Sequence, residues 1–213
     1  SFQNALRAEL AARLETPLMK GGAAVSTDRL PHFAETLAAN MRETAANIPL
    51  QEFDAVVALL ADGSRPVHVL GGRFTDPLAE YLVAHLRVLR ARVRHVDGGE
   101  MPRSDQLLDV GKRDAIVLFD IRRYSADLAA FAGKAARRGA TIALFTDQWL
   151  SPISRVARHV LPARVTAPSV WDSSAALLLL AEAILAGIAA QLGPAARKRL
   201  AAVEAMRHEP GKP

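Results

Sequence analysis

The sequence predicts an α/β fold: a three-layer α-β-α sandwich around a five-stranded parallel sheet, preceded by N-terminal helices. Three observations carry that expectation. From residue 66 onward, short apolar runs alternate with amphipathic segments of helix length. Within residues 114–147 the runs DAIVLFD and ATIALFTD, rich in Ile, Val and Leu, flank the amphipathic SADLAAFAGKAARRG. That is the pattern of two doubly covered parallel strands joined by a right-handed crossover helix. At 213 residues, half of them apolar, the chain can bury one full-sized core.

The elements follow in order. Residues 2–14 have Phe2, Leu6, Leu10 and Leu14 at four-residue steps and predict a helix. Thr16-Pro17 and Gly21-Gly22 break the pattern as a linker. A longer helix over 28–48 carries Leu30, Phe33, Leu37, Met41, Thr44 and Ile48 on one stripe, with Pro31 in its first turn and Pro49 closing it. A third, short helix covers 53–60. Strand one is 67–70, after which Thr75-Asp76-Pro77 caps a helix lined by Leu78, Leu82, Leu86 and Leu89. Strand two is 93–97, followed by a short helix over 104–110. The 114–147 unit supplies strands three and four. Its helix starts at Ser125 as N-cap with Asp127 in the first turn, turns Leu128, Phe131 and Ala135 inward, and stops at Gly139. Ser151-Pro152 opens another helix, and 159–163 is the last strand. A long apolar helix over 172–192 has Ser169, Asp172, Ser173 and Ser174 at its start, as caps or as ligand contacts. A charged helix over 194–208 and a frayed tail, 209–213, complete the chain.

Composition narrows the function classes. Without cysteine there is no disulfide framework and no thiolate site, which fits a reducing cytoplasm. The N-terminus mixes charge with short apolar spacing, unlike a signal peptide. The most lipid-like run, 175–190, is short and contains Glu182, so a core or interface helix is expected rather than a membrane span. The net charge of +5 comes from dispersed arginines. Arg87, Arg90, Arg92 and Arg94 lie near one strand and Arg137 and Arg138 at a helix end, a solvated, dipole-matched surface rather than a nucleic-acid face. Six histidines (32, 68, 85, 95, 159 and 208) show no metal-ligand spacing, so neither a metal nor a cofactor is expected. Trp149 and Trp171 are expected to pack rather than stack on a ligand.

The loop 120–124 follows strand three at a carboxyl end, where open parallel sheets place their ligands. Gly71-Gly72-Arg73-Phe74-Thr75 after strand one, the strand 114–120, Gly139-Ala140 leading to Phe145-Thr146-Asp147, and then Ser151-Pro152-Ile153 together resemble a SIS (sugar isomerase) domain. The helical residues ahead of it, beginning FQNALRAEL, resemble MurR/RpiR-type bacterial transcriptional regulators, in which a helix-turn-helix domain precedes the SIS domain. The resemblance implies a division into 1–25, the end of the DNA-binding domain and a linker helix, and 26–213, a SIS effector-binding domain. It implies a flavodoxin-like sheet with strand one beside strand three, and a crevice between 71–75 and 120–125. It also implies a non-catalytic, dimerising sensor, a homodimer or dimer of dimers. Such a sensor binds a small anionic metabolite, a sugar phosphate or sugar acid, and acts on DNA only through the domain absent here. A sugar-phosphate isomerase and a ligand-free scaffold are the alternatives.

The expected ligand-binding set is Gly71, Gly72, Arg73, Thr75, Asp120, Arg122, Arg123 and Ser125. Free N–H groups at two helix tips, after Thr75 and after Tyr124, would favour an anion there. The family pattern has Gly-x-Gly-x-Ser after strand one and a serine-rich run after strand three. Here Arg73 replaces the second glycine, Thr75 the serine, and Asp120-Ile121-Arg122-Arg123-Tyr124-Ser125 the serine-rich run. Three readings of the charged residues stand open: an ion-pair plug in which Asp120 holds an arginine, a guanidinium fork for an acid, or arginines reaching across a dimer interface. Glu100, in the loop after strand two, is a further residue able to reach the cleft, although a loop glutamate is ordinarily solvated.

Overall fold

The computed structural model describes residues 29–97 and 100–208, without the side chains of 100–102 and 207–208. The helix expected over 2–14, the linker after it, the 1–25 division and the Glu100 side chain therefore lie outside the described residues.

Continuous apolar runs become strands buried along their whole length: β1 (Val67–Gly71) and β3 (Ala115–Asp120) have no exposed residue, and β4 (Thr141–Asp147) only a half-buried first one. With β2 (Val93–His95) and β5 (His159–Ala163) they form one parallel sheet in the order β2-β1-β3-β4-β5, the flavodoxin-like arrangement. The register sets Gly71 beside Phe119 and Asp120 beside Thr146, so the carboxyl ends of β1, β3 and β4 finish together.

Alternate strand residues face opposite layers. Val67, Val69, Val117, Phe119 and Phe145 face one side, under α1 (Arg29–Asn47), α2 (Leu50–Ala61), α3 (Asp76–Leu89) and α6 (Ala175–Leu192). Leu70, Ile116, Leu118, Ile142 and Leu144 face α5 (Ala126–Arg137) on the other. The Phe119 and Phe145 rings stack at 4.4 Å between neighbouring strands. Helix α4 (Glu100–Gln106) with a 3₁₀ turn (Leu107–Asp109) precedes β3, a 3₁₀ turn (Pro152–Arg155) precedes β5, and α7 (Pro194–His208) ends the described chain.

Several boundaries differ from expectation for identifiable reasons. Helix α2 begins at Leu50 because Pro49, in extended conformation, serves as its N-cap residue. The helix after β2 starts at residue 100 rather than 104, and Ser151-Pro152 opens a 3₁₀ turn rather than a helix. Helix α6 starts at Ala175, after Asp172 has turned away to an ion pair. It is long and apolar enough to cross a membrane, with mean hydropathy 2.1, yet Ala176, Leu177, Leu180, Ala181, Ile184, Leu185 and Ile188 are buried in the core. Gly187 permits its close approach to α2, since a Cβ there would lie 2.9 Å from Val57 Cγ2. Gly139 ends α5 at φ +89°, as its composition foretold.

The arginines around β2 are not a simple solvated surface. Arg90 is buried, and its guanidinium donates to the carbonyls of Leu60 (2.7 Å), Ala91 (2.9 Å) and Arg65. Arg87 donates to Val93 O and Arg92 to Ser64 O. Arg90 is thereby withdrawn from the surface, whereas Arg87, Arg92 and Arg94 remain exposed, as expected of a solvated face.

Candidate functional site

The carboxyl ends of β1 and β3 diverge at the switch point of the sheet, and a hollow of about 550 Å³ opens there. Gly72, Arg73, Phe74 and Thr75 line it from the β1 loop, Asp120, Ile121, Arg122, Arg123 and Ser125 from the β3 loop, and Val170, Trp171, Asp172 and Ser174 from the approach to α6. Seven of the eight expected residues thus share one cavity.

Gly71 does not line it. This residue makes the turn possible: a Cβ would sit 2.5 Å from the backbone N of Asp76. Its N–H donates to Asp76 Oδ1 (2.8 Å), which closes the β1 loop onto α3.

The β1 loop spends its donors internally, against the expectation of free N–H groups at its helix tip. Gly72 N–H donates to Thr75 Oγ1 (2.9 Å) and to Phe119 O (3.1 Å), while Thr75 N–H and Asp76 N–H both return to Gly72 O. Thr75 is not a side-chain cap either. Its hydroxyl is buried and donates to Phe119 O (2.6 Å), pinning the β1 loop to β3.

The β3 loop is fixed by two buried carboxylates. Asp120 accepts from Ser125 N–H (3.1 Å) and from the Ser151 hydroxyl (2.5 Å), and no arginine among the described residues pairs with it. The ion-pair plug through Asp120 is therefore not formed. Burial pushes its carboxyl above the ordinary value of 3.8, with the nearby Asp147 adding to the effect, while the Ser151 and Ser125 donors pull it back. Asp147, fully buried, accepts from Arg122 N–H (2.6 Å), Tyr124 Oη (2.8 Å) and Trp149 N–H (2.9 Å). Ser125 caps α5 as expected, accepting from Leu128 N–H (3.3 Å).

Arg122 is the ion-paired arginine, and its partner is Asp172. The pair is bidentate, Nε to Oδ2 at 2.8 Å and Nη2 to Oδ1 at 2.7 Å, with the guanidinium lying 4.1 Å from the Trp149 ring centroid. Sequence reasoning treated Asp172 as a cap or ligand contact and Trp149 as packing. Asp172 instead ties the β3 loop to the segment before α6, and Trp149 packs on the pair.

The rim differs. Arg73 and Arg123 are exposed and have no ion-pair partner among the described residues. The Arg73 guanidinium lies 5.2 Å from the Phe74 ring centroid, and Phe74 in turn meets Trp171 at 5.5 Å. Phe74 is 61% and Trp171 54% exposed, so this aromatic pair faces the hollow rather than the core. Sequence reasoning expected Trp171 to pack and did not single out Phe74 as a site residue.

Three of the histidines serve as local ties: His68 to Asp114, His95 to Asp76 and His159 to Glu52. Asp76, Glu80 and His95 bring three ligand-type atoms within 4.8 Å, a grouping invisible to spacing rules. Asp76 Oδ1 is already committed to Gly71 N–H and His95 Nε2, which makes the group a brace for the β1 loop.

A SIS domain family model matches residues 62–187, more than half of the sequence. The chain belongs to the SIS domain family. Among solved structures, this SIS domain is similar to the sugar isomerase domain of an RpiR transcription factor from Sphaerobacter thermophilus, at 25% identity and TM-score 0.77, covering 83% of this chain and 98% of that one. It is also similar to the NanR protein of Vibrio vulnificus complexed with ManNAc-6P, at 14% identity and TM-score 0.72, covering 96% and 73%. A third is c3406 of E. coli CFT073 in complex with A5P, at 20% identity and TM-score 0.67, covering 82% and 95%. Curated proteins yield no match. The likeness to a SIS domain of the MurR/RpiR type, and the parallel flavodoxin-like sheet it implied, therefore stand.

Proposed function

We propose that this SIS domain is the effector-sensing and dimerising part of a transcriptional regulator, and that it binds a small anionic metabolite in the hollow at the switch point. One observation carries the reading: the hollow is open, and Arg73 and Arg123 stand at its rim with no carboxylate partner among the described residues. An unpaired guanidinium beside a cavity is matched by an acid group, which it binds bidentately. Gly72, Thr75, Asp120, Arg122 and Ser125 shape the cavity, and Gly71 sets the turn that opens it. The similarity to the sugar isomerase domain of an RpiR transcription factor supports the regulator role. The complexes of NanR with ManNAc-6P and of c3406 with A5P support an acidic small molecule as the class of ligand.

The lining contains no histidine or glutamate among the described residues, and its two carboxylates are held by Ser151 with Ser125 and by Arg122. Among the described lining residues that leaves no unengaged carboxylate or imidazole for moving a sugar's proton, which supports the sensor reading. Dimerisation through α1 and α6 is part of the proposal. Helix α1 leaves Leu30 77% exposed, and α6 keeps Leu178 and Leu179 only half-buried. In the mechanism, the acid binds one arrangement of the dimer better than another and so sets the spacing of paired DNA-binding domains.

The test is a thermal-shift screen of organic acids and sugar phosphates, joined to light scattering. An effector at a hundredfold excess over its Kd should stabilise the fold by about 2.7 kcal/mol. Failure of every anion to raise the melting temperature, or a monomeric mass at micromolar concentration, overturns the proposal.

A further inference from the structure

The charge and shape of the hollow narrow the class of acid, given the effector-site reading above. Three guanidinium groups, Arg73, Arg122 and Arg123, face two carboxylates, Asp120 and Asp172. Arg122 is spent on Asp172, and Asp120 occupies the tip of α5 by accepting from Ser125 N–H. A phosphate dianion brought to that tip would meet a resident carboxylate beside the helix N–H groups. On the other side of the hollow Gly72, Thr75 and Asp76 N–H are bonded within the β1 loop, and the Thr75 hydroxyl donates to Phe119 O. Most of the β1-loop groups that could wrap a phosphate are thus consumed by the protein itself, which leaves the Arg73 and Phe74 N–H groups and the Ser174 hydroxyl. The charge that remains is a net single positive one, presented by flexible guanidiniums at the rim.

The second observation concerns the body of the ligand. A polyol needs hydroxyl partners, whereas the rim offers the Phe74 and Trp171 rings, with Ile121 and Val170 beside them. Two large aromatics more than half exposed in contact with each other, inside a cavity, carry an uncovered apolar face. The Arg73 guanidinium over Phe74 places the cation at the edge of that face.

We infer that the hollow takes a monoanionic carboxylic acid with a flat apolar body, an aromatic carboxylate, rather than a phosphorylated sugar. The carboxylate pairs with Arg73 or Arg123, and the ring lies against the Phe74–Trp171 pair.

The experiment titrates the whole chain with benzoate, 4-hydroxybenzoate and phenylacetate on one arm and with glucose 6-phosphate and gluconate on the other. It is followed by calorimetry and by tryptophan fluorescence. The expected result is saturable binding of at least one aromatic acid with quenching of the Trp171 emission, and no binding of either sugar acid. Trp171→Ala and Arg73→Ala should each weaken that binding about tenfold, the size of one stacking or one ion-pair contact. Trp171→Phe, which keeps a flat ring, should restore most of it. Binding of glucose 6-phosphate in preference to the aromatic acids overturns this inference and leaves the anionic-effector reading intact. Binding by neither arm, with no other anion raising the melting temperature, overturns both. If Trp171→Ala converts a dimer to a monomer while aromatic-acid binding is unchanged, the pair is a subunit contact and the inference falls.

Discussion

Behind the floor of the hollow every charged side chain is engaged, whereas at its rim the charges have been left unmatched. Asp147 receives three donors, Asp120 two, and Arg122 closes a bidentate pair with Asp172 that is almost wholly buried. Arg73 and Arg123, which line the same hollow, are exposed and have no ion-pair partner among the described residues. Burying a charge costs several kcal/mol unless geometry and hydrogen bonds compensate, so the floor must be a closed network to exist at all. Solvent makes no such demand on the rim. The floor charges are therefore architecture, while the rim charges are free to be function. The same residue type, arginine within one tetrapeptide, falls on both sides of that line.

Five variants break or sharpen the contrast. The largest effect belongs to Arg122→Ala, which strands the Asp172 carboxylate and removes the packing on Trp149. A loss of about 3–5 kcal/mol is expected in urea unfolding. The double variant Arg122→Met with Asp172→Leu should recover most of it, because no charge is then left buried alone. Next comes Tyr124→Phe, which deletes one of three donors to Asp147 and should cost about 1–3 kcal/mol in the same assay.

Asp120→Asn has an effect that depends on pH. Because the folded carboxyl titrates above 3.8, the folded state holds its proton more tightly than the unfolded chain does. Wild type should then lose stability relative to Asp120→Asn as pH rises from 3.8 through the raised value, with the difference constant above it. Melting curves of both proteins from about pH 4 to about pH 8 measure the difference; a gap that widens toward acid would contradict the assignment. The ligand should follow the same titration, since an ionised Asp120 repels an anion in the hollow. The smallest structural effect is that of Arg73→Ala, within about 0.5 kcal/mol of wild type in urea, although it removes a rim cation on which ligand binding is proposed to depend. A stability loss as large as that of Arg122→Ala would erase the distinction between floor and rim.

Much of this organisation was legible along the chain. The unbroken runs at 115–120 and 141–147 announced strands buried on both faces, and the stripe of Leu128, Phe131 and Ala135 announced the helix between them. Ser125 and Gly139 marked its ends because capping and positive φ are demands of the local backbone. The position of the site at the β1–β3 switch point also followed, since the carboxyl ends of a parallel sheet and its strand order fix where loops diverge. The division at residue 25 and the proposed interface through α1 and α6 remain proposals, the first outside the described residues.

Periodicity and capping act over a few residues, so the sequence by itself determined the strands, the helices and the crevice between them. Which charges would be buried, and with whom, was decided by tertiary structure. Arg122 meets Asp172 across 50 residues, Asp120 meets Ser151 across 31, and Thr75 ties to Phe119 across 44. No local pattern encodes such partners, because each pairing exists only once the sheet has brought three loops to the same end. The folded chain thus converted an expected anion cradle into a satisfied floor and left two arginines and two aromatic rings to face whatever enters.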